Sequence, residues 1–155
     1  MISPELLRRF PFFAPFSSQQ LAEFAMISDE YSTDEAEVLF EECQPATHLF
    51  LLLEGNVDLY YKTEDPFRPK GSKEFSVGII NPGEVFSVSS LIDPYVLNAT
   101  AKASEPSKYV KMDAVSLRKM MEEDHQLGFL LMQQVTKVLM ERLAYTRVQL
   151  AAAWA

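Results

Sequence analysis

The order of apolar and polar positions divides the chain into a helical opening, a β-rich middle and a helical end. After Ser17 the residues Leu21, Phe24 and Ala25 recur at helical spacing. Gln20 stands three positions beyond Ser17, where a serine hydroxyl and a glutamine side chain cap a helix reciprocally. Phe12, Phe13 and Phe16, just before this helix, are expected to pack it onto a core. From about Ala36 the period shortens. Val38–Phe40, His48–Leu53, Val57–Tyr61, Phe75–Ile80, Leu97–Lys102 and Lys108–Met112 read as short strands between turn formers. Glu54-Gly55-Asn56 reads as a tight turn in which Gly55 supplies a positive φ without steric cost. Lys62 to Glu74, mostly charged and interrupted by prolines and a glycine, reads as a long surface hairpin loop. Its Arg68, Lys70 and Lys73 are either an anion patch or a solvated face. Strands this short, at this spacing, point to a sandwich or jelly roll.

Beyond Met112 the period is helical again. Asp113 is the expected cap of a first helix carrying Val115, Leu117, Met120 and Met121, followed by a break near Asp124 to Gly128. A last helix, Gly128 to Leu150, would run roughly 35 Å. It carries two apolar stripes: Met132, Leu139, Leu143 and Leu150 on one, and Leu131, Val135, Val138 and Tyr145 on another about 100° away. One stripe can cover the β structure while the other meets a second copy, since a monomer would leave an apolar stripe in water. Leu131, Val135, Val138 and Tyr145 are the expected dimer face. The alternative is a helix folded back along the barrel with both stripes buried.

A chain of 155 residues is long enough to bury a core without disulfides or a metal. No run approaches the roughly 18 apolar residues a membrane span needs. Arg8 and Arg9 are followed by a segment broken at Pro11 and Pro15, with no small-residue cleavage site, so a signal peptide is not expected. Cys43 is the one cysteine, which agrees with a reducing cytoplasm. The net charge of −8 argues against binding nucleic acid, whose affinity comes from Lys and Arg displacing counterions.

Asn81 to Ala103 combines a Pro-Gly turn, a short helical stretch and a strand. Pro82, Gly83, Glu84, Phe86, Leu91, Ile92, Ala99, Thr100 and Ala103 fall, without a gap, in the register of Pro-Gly-Asp/Glu-x-Phe-Gly-Glu-x-Ala-Leu-Leu and Pro-Arg-x-Ala-Thr-x-x-Ala. This segment resembles the phosphate-binding cassette of cyclic nucleotide-binding domains of the catabolite activator (Crp/Fnr-like) family. Val38 to Val57 resembles that family's opening strands, with Gly55 and Val57 matching and Cys43 replacing a glycine. The likeness spans roughly residues 5–150. It implies a mainly β fold with flanking helices: a double-stranded β-helix jelly roll and a long C-terminal dimerisation helix. Residues 1–112 would form the N-terminal helix and sensor barrel, and 113–155 the C-terminal helices of the same domain, with no DNA-binding domain.

The resemblance implies a regulatory, non-enzymatic sensor of cyclic AMP or cyclic GMP, but the residues that would hold the ligand differ. Ser87 stands where the cassette has glycine, Val88 where it has the ribose-binding glutamate, and Leu97 where it has the phosphate-binding arginine. The candidate pocket is Gly83, Phe86, Ser87, Val88, Ser89, Ser90, Leu97, Asn98, Thr100 and Lys102, suited to a small neutral or weakly anionic ligand. Lys102 shares the period-2 face of Asn98 and Thr100 and supplies charge only if that face turns inward. Two readings stay open: a sensor with lost or altered cyclic nucleotide affinity, or a ligand-free interaction module acting through dimerisation or a separate effector protein. His48 and His125 lie too far apart for a cupin-like metal centre, and Ser-x-Ser-Ser is not a nucleophile elbow. His48 and Cys43 read as structural, and Trp154 as part of a frayed end.

Overall fold

The structure, a computed structural model, describes residues 1–65 and 68–155, with side chains for 1–62 and 73–155. Two short helical pieces, α1 (Pro4–Arg8) and a 3-10 turn (Pro11–Phe13), lead into α2 (Ser18–Met26). The strands are β1 (Ser28–Thr33), β2 (Glu37–Phe40), β3 (His48–Glu54), β4 (Val57–Asp65), β5 (Arg68–Ile80), β6 (Val85–Phe86), β7 (Thr100–Ala103) and β8 (Ser107–Asp113). A 3-10 turn, Val88–Leu91, follows β6, and α3 (Ala114–Glu123) and α4 (His125–Ala153) end the chain. The strands form two antiparallel four-stranded sheets, ordered β1-β8-β3-β6 and β2-β7-β4-β5. This is the jelly roll with flanking helices that the strand spacing and the resemblance imply.

Local chemistry sets the element ends. The Ser17 hydroxyl accepts from the Gln20 amide at 3.2 Å while the Ser17 amide donates to Gln20 Oε1 at 2.9 Å, closing the capping box. Asp113 caps α3 through the Ser116 amide, and Asp124 caps α4 through the Leu127 amide. Gly55 turns the chain between β3 and β4 at φ 98°, and a Cβ there would meet Ser107 Oγ at 2.1 Å, so only glycine fits.

Alternation along β3 and β8 divides the core in two. Leu49, Leu51, Val110 and Met112 face the helices and pack with Phe13, Phe24, Leu117, Leu127, Leu131 and Val135. Phe50, Leu52 and Tyr109 face the space between the sheets, with Val57, Leu59, Ile80, Phe86 and Ala101.

The expected strand Leu97–Lys102 begins only at Thr100 and the last helix already at His125, and larger departures occur at β1, at the Lys62–Glu74 loop and along α4. The polar segment Ser28–Thr33 is a strand, because only its ends are buried and its backbone pairs with β8 throughout. The expected loop from Lys62 to Glu74 is largely β ladder, with Lys62 opposite Glu74 and Thr63 opposite Lys73. Its charges hid the strand because alternation is written only where one face is buried. Arg68 and Lys70 of the proposed anion patch lie outside the described side chains, and Lys73 is exposed.

The α4 stripes divide along the helix rather than between its faces: Met132, of the stripe expected to cover the roll, packs against the core, whereas Tyr145, of the expected dimer face, is exposed. Leu131 and Val135, expected to face a partner, are buried against the chain's own core, and Val138 packs at its margin. Tyr145 borders a groove between α4 and β5. The outward stripe is Leu139, Leu143 and Leu150, joined by Phe129 and Met140, all substantially exposed.

Candidate functional site

Gly83, at φ 91°, turns the chain out of Asn81-Pro82, and its amide donates to the Leu52 carbonyl at 2.8 Å. β6 then pairs with Phe50 and Leu51 of β3. Ser87 follows in the left-handed region at φ 63°, a conformation that favours glycine, and opens the 3-10 turn. The Ser90 hydroxyl donates to the Ser87 carbonyl at 2.7 Å. The hydroxyls of Ser87 and Ser89 are buried and have no hydrogen-bond partner among the described residues. Farther along, the Leu97 amide donates to the Gln44 carbonyl at 2.9 Å, and the Cys43 amide to the Leu97 carbonyl at 2.8 Å. Cys43, where the resemblance places a second glycine, also has a positive φ of 69°. The chain keeps the glycine backbone shapes with side chains added, and such residues concentrate at functional sites.

These segments border a cleft of about 390 Å³ between the sheets, of a size that suits a small ligand. Ser87 and Leu97 line it beside Leu39, Phe40, Glu41, Gln44, Pro45, Thr47, His48, Phe50 and Lys111. Its apolar wall is an aromatic cluster, with the Phe50 ring 5.1 Å from Phe40 and 5.0 Å from Phe86. Its polar end comes from strand register. Phe50 pairs with Lys111 and His48 with Asp113, so the inward face that carries Leu52 and Tyr109 deeper in the roll continues outward as Phe50 with Lys111, then His48. Lys111 Nζ sits over the rings of Tyr31 and Phe50, at 4.8 and 5.6 Å, and forms no ion pair among the described residues. Asp29, opposite Lys111 on β1, instead takes the N-terminal ammonium. Burial holds the His48 imidazole below its ordinary pKa, nearby Lys111 adds to this, and Asp113 opposes it.

Of the ten candidate pocket residues, Ser87 and Leu97 border this cleft. Phe86 stands behind its wall, fully buried. Val88 packs into the helix-side core, so the ribose-glutamate position points away from the cleft. Gly83 borders a separate groove beneath α4, and Asn98 is exposed. Thr100 is buried, its Oγ1 accepting from the Glu42 amide. Lys102 faces outward: it pairs with Glu74 at 2.8 Å and covers the Tyr60 ring, because Ala101 and Ala103 take the inward positions of β7. Ser90 is occupied with its own turn. Sequence reasoning missed Lys111 and gave His48 no role at the site; the phase of β3 and β8 relative to Phe50 and Tyr109 was the signal.

The cleft lies between two sheets, with Ser87 at the start of the 3-10 turn and Leu97 on its border. The family model for the cyclic nucleotide-binding domain matches residues 32–124. The chain belongs to the cyclic nucleotide-binding domain family. A solved protein from Geobacter metallireducens GS-15, described as cyclic nucleotide-binding, is 38% identical, with 92% of this chain and 99% of that one covered and a TM-score of 0.79. The N-terminal domain of a transcriptional regulator from Streptomyces coelicolor A3(2) is 26% identical over 88% of this chain and 91% of that one, with a TM-score of 0.67. The regulatory domain of Toxoplasma gondii PKA, solved with cAMP, shares the fold at a TM-score of 0.71 and 13% identity, over 86% of this chain and 48% of that one. No curated protein matches the chain. No helix among the described residues is long and apolar enough to cross a membrane.

In this cyclic nucleotide-binding domain two arginines tie the C-terminal helices to the cassette. Arg142 of α4 donates to the Val85 carbonyl at 2.5 Å. Burial disfavours the charge of its guanidinium, and Glu84 and Glu141 offset this. Arg118 of α3 donates to the Ser90 carbonyl at 2.6 Å and stacks 3.9 Å from the Tyr95 ring. The segment from Val85 to Tyr95 is therefore gripped on both sides of Ser87 by the helices that follow the roll.

Proposed function

We propose that this cyclic nucleotide-binding domain is a non-catalytic cytoplasmic sensor whose affinity for cyclic AMP and cyclic GMP is lost or strongly altered. The observation that carries this reading is Leu97, buried at the cleft where the family pattern has its phosphate-binding arginine. A charge-assisted hydrogen bond contributes about 1.5–3 kcal/mol. Losing a two-point arginine contact and the glutamate contact therefore removes orders of magnitude in affinity, at about 1.4 kcal/mol per tenfold. Occupancy of the cleft displaces the segment around Ser87, and Arg142 and Arg118 pass that displacement to α4 and α3. Such a shift requires that the ligand bind two states of the segment unequally.

The output is a homodimer joined along the outer stripe of α4, Leu139, Leu143 and Leu150, and through it a separate effector protein. A ligand-free interaction module is the second reading, and the exposed stripe favours it equally. Isothermal titration calorimetry with cyclic AMP and cyclic GMP tests the sensor reading: micromolar binding by the unaltered chain overturns the claim of altered affinity. Sedimentation velocity of Leu143→Asp tests the interface. The variant is expected to run as a monomer with an unchanged fold, and a dimer as tight as the parent's removes the α4 stripe from the account.

A further inference from the structure

The cleft offers charge on β8, across Phe50 from the cassette strand β6. Leu97 and the aromatic rings of Phe40 and Phe50 make its wall apolar, and Lys111 brings the ammonium that has no carboxylate partner among the described residues. His48 stands beside it, its Nδ1 within 2.8 Å of Thr47 Oγ1. Toward the cassette, the Ser87 hydroxyl is buried and has no partner among the described residues, on a residue 8% exposed. An unpartnered buried hydroxyl costs free energy that a ligand atom recovers by hydrogen bonding to it. Glu41 also borders the cleft, and its carboxylate opposes a second negative charge on any occupant.

Building on the sensor reading above, we propose that the cleft binds a small organic monoanion, a carboxylate on a flat apolar body. Its charge lies at Lys111 and His48, and its body lies against Phe40, Phe50 and Leu97, ending near Ser87. The orientation is the reverse of the one the cassette implies, since the anion sits on β8 and β3 rather than at the turn after β6. An ammonium over aromatic rings is already partly desolvated, so pairing it with a carboxylate costs less than stripping a fully hydrated lysine. A flat body is favoured because the wall it meets is built of rings.

Calorimetry with naphthoate and its uncharged analogue naphthamide tests the assignment on the parent chain and on Lys111→Met and Ser87→Ala, with cyclic AMP run alongside. The expected result is naphthoate binding to the parent, with about tenfold or greater weakening both for naphthamide and for Lys111→Met. A smaller loss is expected for Ser87→Ala. Equal affinity for acid and amide overturns the proposal, as does undiminished naphthoate binding by Lys111→Met. If naphthoate and cyclic AMP are both silent, the carboxylate ligand is overturned while the altered-affinity reading stands. If cyclic AMP binds at micromolar concentration while naphthoate does not, both fall.

Discussion

Strands β3 and β8 carry a different interior on each of their faces. Toward the helices, Leu49, Leu51, Val110 and Met112 are all essentially buried and meet phenylalanine and leucine from α2, α3 and α4. Between the sheets the same strands begin in the same way, with Leu52 and Tyr109, and then continue as Phe50 with Lys111, and His48 with Asp113. One face is closed by apolar packing from Leu49 to Leu51 and from Val110 to Met112, and becomes exposed only at Lys108. The other stops short, leaving a cleft and, among the described residues, a lysine without an ion pair and a serine hydroxyl without a partner. A protein needing only stability would have filled that end, since packing two sheets face to face favours apolar residues throughout the inner layer. Apolar packing is thus concentrated on the helix face and unpaired polar groups on the roll face, one residue apart along each strand.

The largest effect that sharpens this contrast comes from Leu51→Ala on the closed face. Leu51 is 1% exposed, and its truncation leaves a cavity between β3 and the helices. The expected loss is about 2–5 kcal/mol in urea unfolding. A loss below about 1 kcal/mol would mean that the helix face relaxes around the cavity and is no more rigid than the cleft.

Arg142→Met tests the contact that ties α4 to the cassette. The variant keeps an apolar stem but frees the Val85 carbonyl and releases α4 from the cassette, with an expected cost of about 1.5–3 kcal/mol. Hydrogen exchange separates this from a general destabilisation. Amides around Ser87 and in the second half of α4 should exchange faster, while Leu127 to Val135, held in the core and by Gln134 Nε2 donating to the Phe12 carbonyl, keep their protection. Uniform acceleration along α4 would count against Arg142 as a local tie.

Ser87→Gly has a smaller effect of opposite sign. A side chain in the left-handed region costs roughly 1–2 kcal/mol, and glycine returns part of that gain through the entropy of the unfolded chain. Thermal unfolding should show a net stabilisation of about 0.5–1 kcal/mol. A destabilised variant would mean that the hydroxyl has a partner in solution and that the cleft is more complete than its geometry suggests.

These contrasts were unevenly legible in the sequence. Ser17 with Gln20, Asp113 and Gly55 could be read directly, because a cap or a tight turn is fixed by residues within four positions of one another. The cassette frame was legible through its fixed spacing, and with it Ser87 and Leu97. The stripes of α4 were visible, but both are apolar and evenly spaced, so nothing local indicated that Leu131 and Val135 meet the core while Leu139 and Leu143 do not. Lys102 and Lys111 posed the same difficulty from opposite sides. Each sits on an alternating strand, and only its phase against the roll decides which lysine faces the cleft. Ala101 and Ala103 turn Lys102 outward, and Tyr109 turns Lys111 inward. His48 and Lys111 are 63 positions apart in the chain and meet because Phe50 pairs with Lys111 in the antiparallel register.

The finest distinction between the two faces is electrostatic, and Lys111→Met reads it through His48. In the folded chain burial and the Lys111 ammonium both disfavour imidazolium, so His48 titrates below the value of about 6.5 it has when unfolded. Its folded pKa is depressed, so the unfolded chain takes up the proton first. Stability therefore declines as pH falls through about 6.5 and levels off once the folded imidazole is also charged. Asp113, depressed chiefly by its bonds to Ser116, acts in a lower window: its contribution is complete above the ordinary carboxylate range and is lost as pH falls through its folded value. The two effects have the same sign, with acid destabilising in both windows. Removing the Lys111 charge leaves burial as the remaining cause that lowers His48, so proton NMR of the His48 ring should show its midpoint move up toward the ordinary value. The decline in stability near pH 6.5 should become shallower, and the Asp113 window should stay in place. An unmoved His48 midpoint would place the Lys111 ammonium outside the cleft in solution, leaving Glu41 as the charged side chain at the open end of the roll.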